Sequence, residues 1–180
     1  MPRRLPVYIL VDVSGSMHGR PIQAVQLALE TFRDSLIDDP RASLSVDVSV
    51  IAFGWDAQVL TPLTPLWDFE VPPLHAPETA PTNLGEGLEL LCERYDREVV
   101  VGSDWPPIVC LITDGLPTDP ALFKAILEKF KQYRWHKVVA CVIGADLDVN
   151  DLTQLTPNVV RFDHADAFAS QSLESLLFPL

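Results

Sequence analysis

Continuous apolar runs alternate along this chain with stretches in which apolar residues recur every three to four positions, the pattern of buried strands separated by amphipathic helices. PVYILVD (6–12) is the first such run. A helix follows from about Pro21, with Ile22, Val25, Leu29, Phe32 and Leu36 on one face and DDPR ending it. LSVDVSVIAF (44–53) alternates through Ser45, Asp47 and Ser49 before turning wholly apolar, which predicts a strand exposed on one face and near a sheet edge. After GWD, AQVLTPL can return as the second arm of a hairpin. Prolines at 62, 65, 72, 73, 77 and 81 break any helix and predict an extended surface loop over 61–81.

Helical spacing resumes in TNLGEGLELLCERYDREVV through Leu84, Leu88, Leu91 and Tyr95. Gly85 and Gly87 each cost that helix about 1 kcal/mol relative to Ala, which is tolerable if its first turn packs closely against something. PPIVCLITDG is a buried strand ending in Asp114, and DPALFKAILEKFKQYRW a helix with Asp119 as its cap and Pro120 at its first position. KVVACVIGAD and VVRF are two more strands, and ADAFASQSLESLLF is a closing helix. The sum is one α/β domain over residues 1–180, with about six strands in a mostly parallel sheet, one antiparallel edge strand and helices on both faces.

Composition narrows the function classes. Thirteen Lys and Arg against 25 Asp and Glu give a net charge of −12, which argues against nucleic acid as a partner. Cys92, Cys110 and Cys141 sit among apolar neighbours with no CxxC and no Cys/His cluster, as core thiols of a reduced compartment do. The apolar run after the basic start MPRR enters Asp12 without a small-x-small cleavage site, so a core strand is the better reading than a signal peptide. No stretch approaches the about 20 apolar residues a membrane span needs, and the expected location is cytoplasmic.

Candidate chemistry lies where strands end. Asp12, Ser14 and Ser16 follow the first strand, and Asp114 ends the PPIVCLIT strand. Thr82 stands where the proline-rich loop enters a helix. In an open parallel sheet such strand ends converge on one crevice. Two carboxylates and three hydroxyls form a set of hard oxygen donors, suited to one divalent cation: Mg²⁺ first, with Mn²⁺ or Ca²⁺ as alternatives, and not Zn²⁺ or Cu²⁺. Neutral hydroxyls leave the ion's charge partly uncompensated, and an open position would attract a carboxylate from another molecule.

Asp12-Val13-Ser14-Gly15-Ser16, Thr82 and Asp114-Gly115 resemble the metal-ion-dependent adhesion site (MIDAS) of von Willebrand factor A (vWA) domains, and the strand–helix order resembles that family over nearly all of the chain. RRLPVYILVDVSGSM, TNLGEGL and TDGLPTD are more narrowly similar to the bacterial TerY-type proteins associated with tellurium resistance. The resemblance implies a Rossmann-like vWA fold and a metal-dependent protein–protein interaction module. It places the metal on Asp12, Ser14, Ser16, Thr82 and Asp114 and implies a partner presenting an Asp or Glu carboxylate. It also implies a bacterial stress-response or phosphorylation-linked setting, while the net charge and the lack of a spanning apolar stretch leave neither nucleic acid nor membrane as the expected partner. Many relatives have Gly-Gly before the threonine where this chain has Ala80-Pro81, so Thr79 is the alternative to Thr82.

Other readings compete for the same residues. Asp12, Ser14 and Ser16 also suit a turn and helix cap, and Thr82 an N-cap. His18 is a loop histidine beside the site, while Trp55, Trp67 and Trp105 could form an apolar rim around it. A Mg²⁺-dependent phosphoryl-transfer enzyme using Asp12 is the enzymatic alternative, but the second carboxylate expected two residues on is Ser14, and neither a P-loop nor a G-x-S-x-G elbow is present. A partner-binding subunit with a vestigial metal site is the third reading. The non-enzymatic, metal-dependent one fits best. The apolar closing helix FASQSLESLLF is a candidate to shift on binding.

Overall fold

The computed structural model describes residues 2–178. Among them, six strands form one sheet: β1 (Leu5–Asp12), β2 (Val46–Phe53), β3 (Ala57–Pro65), β4 (Ile108–Thr113), β5 (Lys137–Ile143) and β6 (Val159–Phe162), in the spatial order β3-β2-β1-β4-β5-β6. All neighbours pair parallel except β2 and β3, whose antiparallel hairpin makes β3 the edge strand. Seven helices accompany the sheet: α1 (Arg20–Ile37), α2 (Pro40–Ser45), α3 (Leu84–Glu98), α4 (Pro120–Phe130), α5 (Asn150–Leu155), α6 (Ala165–Ala169) and α7 (Leu173–Leu177). This is the expected mostly parallel α/β architecture, Rossmann-like and covered on both faces.

The period-two geometry of a strand explains how one run feeds two cores. Val7, Ile9 and Val11 of β1 pack with Val25, Leu29 and Phe32 of α1 and with Phe168, Leu173 and Leu177 of α6 and α7. Tyr8 and Leu10 face the other side, with Leu84, Leu88 and Leu91 of α3, Phe123 and Leu127 of α4, and Leu152 of α5.

Four expectations need correction. The alternating face of β2 is not solvent-exposed: every residue of the strand is buried. Its polar side chains are satisfied internally, since Asp47 accepts from Arg4 Nη1 at 3.3 Å and the Ser49 hydroxyl donates to Thr61 O at 2.9 Å. DDPR ends α1 but also starts α2, with Asp39 accepting from Arg41 N at 2.9 Å ahead of Pro40; the strand therefore begins at Val46, not Leu44. Pro62 and Pro65 belong to edge strand β3, where a missing N–H is tolerated. The single closing helix is two, α6 and α7, because Ser172 turns extended and its hydroxyl caps Ser175 N at 3.3 Å. The short helix α5 carried too little periodicity to be read.

At the N-terminal end of β1, Arg4 ties the sheet together. Its Nε and Nη2 reach both oxygens of Asp104 at 3.1 and 2.6 Å, and Nη2 also donates to Glu98 O at 2.6 Å. Burial works against Asp104's charge, but the hydrogen bonds from Arg4 and Val100 N and the charges of Arg4 and Arg3 outweigh it and hold its carboxyl below the usual range. Nearby, Tyr8 donates to Glu98 Oε2 at 2.9 Å, and burial, then Glu98's charge, push that phenol well above its ordinary range.

Candidate metal site

β1 leads to β2 on one side and lies against β4 on the other, so the crevice beyond the C-terminal ends of β1 and β4 is the switch point of the sheet. Asp12 closes β1 at this point and is 0% exposed. Its Oδ1 accepts from Ser14 N at 2.8 Å, folding the chain back as Asp readily does. Its Oδ2 accepts from the Thr113 hydroxyl at 2.7 Å, across from the end of β4. Burial nevertheless outweighs these donors and raises the Asp12 carboxyl above the ordinary range.

From Asp12 the oxygens continue outward. Ser14 is buried with its Oγ 3.1 Å from the Oγ of exposed Ser16, and Ser16 donates to Asp114 Oδ1 at 2.7 Å. Asp114 is also raised: burial leads, the Ser16 hydroxyl draws it back, and Asp12's charge pushes it up again. Two carboxylates therefore feel each other here. Among the described residues neither is ion-paired with Lys, Arg or His.

Gly15 lets this loop meet the proline-rich segment. Its N–H donates to Ala80 O at 3.0 Å, and a Cβ there would stand 2.8 Å from Glu78 O. Thr82 is buried and held by its backbone: Thr82 N donates to Thr118 Oγ1 at 2.9 Å, and Thr82 O accepts from Thr118 N at 2.9 Å. That leaves its hydroxyl facing Gly115, 3.5 Å from where a Cβ on that glycine would be. Thr79 is exposed and meets Gly15 through its backbone. Asp12, Ser14, Ser16 and Asp114 are thus linked by hydrogen bonds, and Thr82 adjoins them across Gly115.

Several residues that support the arrangement were not singled out from sequence. Thr113 holds Asp12, and Thr118 clamps Thr82 while donating to Asn83 Oδ1 at 2.8 Å. Asp119 precedes α4 but makes no side-chain cap there, which corrects the expectation; it accepts instead from Gly85 N and Glu86 N, both at 3.0 Å, and caps α3. The two glycines of α3 then explain themselves. A Cβ on Gly85 would meet Asp119 Oδ2 and Phe123 N at 2.7 Å, and one on Gly87 the Phe53 ring at 3.1 Å. Only TDG and TDP hinted at these roles, because the partners are fixed by tertiary contact.

The aromatic rim does not assemble. Trp55 lies by the site, its carbonyl accepting from Asn83 Nδ2 at 3.0 Å. Trp67 follows Pro65, which pairs with Asp47 at the start of β2, and Trp105 N donates to Arg4 O at 2.8 Å, so both stand at the opposite end of the sheet. His18 Nδ1 donates to Ala76 O at 2.8 Å and pins the proline-rich loop.

As a donor set, the five residues offer hard oxygens alone. Among the described residues no three or more His, Cys, Asp or Glu side chains are grouped to hold a metal, so any ion here must rely on hydroxyls beside two carboxylates. Mg²⁺ and Mn²⁺ accept such a set together with water. Two adjacent carboxylates without a cationic side chain are what such an ion would neutralise, so the residues fit the group.

An open α/β sheet with an Asp-Ser-Ser loop at its switch point defines a class of Rossmann-like folds, and comparison makes the class specific. Residues 7–116 match the family profile of the von Willebrand factor type A domain, and the chain belongs to that family. Domains of this kind generally mediate protein–protein interaction. Comparison with curated proteins gives no match.

Solved structures share the fold. A von Willebrand factor type A protein from Catenulispora acidiphila superposes with a TM-score of 0.71 at 19% identity, covering 94% of this chain and 41% of its own. Proximal thread matrix protein 1 from the mussel byssus, with a zinc occupied MIDAS motif, gives 0.68 at 16% identity, covering 94% and 46%. Manganese-loaded TRAP protein of Plasmodium vivax gives 0.65 at 19% identity, covering 93% and 71%. The chain spans less than half the length of the first two. Among the described residues no helix is long and apolar enough to cross a membrane.

Proposed function

We propose that residues 1–180 act as one metal-dependent interaction domain, in which Asp12, Ser14, Ser16, Thr82 and Asp114 hold a divalent cation, Mg²⁺ first. A cation bound there supplies an open Lewis-acid position for a carboxylate from an Asp or Glu of a partner protein. The observation that carries this reading is the unbroken run of hydrogen bonds from Asp12 through Ser14 and Ser16 to Asp114, with Asp12's charge helping to raise the Asp114 carboxyl and, among the described residues, no basic side chain paired to either. Two relatives in fold support a divalent ion by their description, one manganese-loaded and one zinc-occupied, the zinc running against the expectation that such a site excludes Zn²⁺.

The protein's own residues would do three things. Thr113 and Ser14 N fix both oxygens of Asp12, so the innermost carboxylate needs no reorganisation. Ser16 and Asp114 lie toward solvent, where an arriving partner meets them. Thr118 holds Thr82 by its backbone and leaves the Thr82 hydroxyl without a hydrogen-bond partner among the described residues. The setting would be a bacterial cytoplasmic stress-response or phosphorylation-linked system of the TerY type, a reading that rests on motif similarity.

A phosphoryl-transfer role for Asp12 is disfavoured by geometry. A nucleophilic carboxylate needs an oxygen that the substrate can reach, and both oxygens of this fully buried side chain are engaged, whereas a cation can be held through an intervening water.

The test is calorimetric titration of Mg²⁺, Mn²⁺ and Ca²⁺ into chelator-stripped protein, beside Asp12→Ala and Ser14→Ala. One-site binding lost in both variants is expected. Wild-type protein that takes up none of the three ions would sink the proposal.

A further inference from the structure

The end of the molecule opposite the metal site carries its own surface. Trp105, 48% exposed, stands between two hollows. One, of about 240 Å³, is lined by Leu5, Trp105 and His136. The other, smaller, lies between Arg3, Val101, Trp105 and Arg134. Val101 is 79% exposed in the turn after α3. Trp105 and Val101 thus leave an apolar floor open to solvent at this end.

Its charge is also unlike the rest of the chain. The protein carries −12 overall, yet the side chains around this floor are Arg3, Arg134 and His136. The one acid among the lining residues, Asp104, is ion-paired to Arg4, with Arg3's charge acting on it from farther off. Arg3 is poised rather than paired: its guanidinium lies 4.2 Å from the Trp105 ring centroid and donates to the carbonyls of Ser103 and Asp104 at 3.0 and 2.9 Å. Among the described residues neither Arg3 nor Arg134 is within ion-pair distance of a carboxylate.

We infer that this end is a second, metal-independent docking surface for an acidic segment of a partner protein. One large apolar side chain of that segment enters the hollow beside Trp105, and flanking Asp or Glu residues meet Arg3 and Arg134. Charge complementarity selects this occupant. A second copy docking this patch against itself would set Arg3 and Arg134 against the same two cations, while an acidic segment neutralises them. The domain would then join two partners, one at each end of its sheet.

The experiment selects peptides from a displayed library of random dodecamers on the full chain, with Mg²⁺ and again with chelator. The expected outcome is enrichment, unaffected by chelator, of an aromatic or branched aliphatic residue flanked by Asp or Glu. The best synthetic peptide should bind Trp105→Ala about thirtyfold more weakly, as truncation of an interface anchor does. Val101→Asp, in an exposed turn away from the core, should repel the same peptide. The Arg3→Glu/Arg134→Glu protein should select basic flanks instead. Peptides without acidic bias, enrichment lost in chelator, or no enrichment would each overturn the inference. So would concentration-dependent dimers abolished by Trp105→Ala, or binding to vesicles of acidic phospholipid that Trp105→Ala removes.

Discussion

Thr113→Val changes one atom of consequence. The two side chains have the same branched shape, so no cavity opens, and Thr113 is 0% exposed, so no water replaces what is lost. What is lost is the O–H that reaches Asp12 Oδ2 at 2.7 Å. A hydrogen bond to a charged group contributes about 1.5–3 kcal/mol, and a buried acceptor left without its donor costs about 1–3 kcal/mol. Ser14 N still serves Oδ1, so the lower half of that range applies. The expected loss is about 2 kcal/mol, equivalent to about 4–8 °C in Tm for a domain of this size. Thr113→Ser keeps the hydroxyl and should lose far less.

The pH dependence checks the cause. Burial already raises the Asp12 carboxyl above its unfolded value, and removing a donor to the ionised form raises it further. A raised carboxyl binds its proton more tightly in the folded state, so its charged burial costs stability as pH climbs through and above its pKa. The deficit of Thr113→Val should therefore be largest at neutral pH and shrink as pH falls to the ordinary carboxylate range. Urea unfolding in chelator at pH 7 and at about pH 4, with m-values compared, measures both. Equal stability of Val and Thr variants at neutral pH would refute the reasoning, and an equal deficit at both pH values would refute its electrostatic part.

Three further outcomes are expected. Gly85→Ala should destabilise by about 1–3 kcal/mol despite the helix-propensity gain of about 1 kcal/mol, because the new methyl meets Phe123 N and Asp119 Oδ2 at 2.7 Å; a thermal melt at or above wild type would contradict it. Asp119→Ala should lose about 1–2 kcal/mol by uncapping two amides of α3, and hydrogen exchange should quicken at Gly85 and Glu86 but not within α4. Asp104→Asn should be destabilised at neutral pH: a depressed carboxyl contributes stability above its unfolded pKa and loses it as pH falls through the folded one, so the gap to wild type should close on acidification. Denaturant curves at both ends of that window decide it.

What could be read from the sequence divides along a physical line. The inner strands showed as contiguous apolar runs, β2 and β3 as an alternating hairpin, and the long helices because eleven or more residues give a period room to appear. α5, α6 and α7 have five or six residues each and no such room. The site segments could be picked out because Asp, Ser and Thr at strand ends are out of place in a core. Their supports could not: whether Asp119 caps α4 or α3 depends on which helix lies beside it, and both readings satisfy the same residue.

The misread face of β2 carries the same lesson further. Alternation of apolar and polar residues states only that one face needs partners other than hydrocarbon; water is the default partner, and this chain supplies Arg4 and the Thr61 carbonyl instead. A buried carboxylate that accepts from a guanidinium is stabilising only while that partner stays. Arg4 holds Asp47 and Asp104 from opposite sides at one end of β1, just as Ser14 N and Thr113 hold Asp12 at the other. The central strand is therefore anchored by buried acids at both ends. Only the Asp12 end lacks a guanidinium, and under the proposed function that asymmetry makes the same strand structural at Arg4 and a binding site at Asp12.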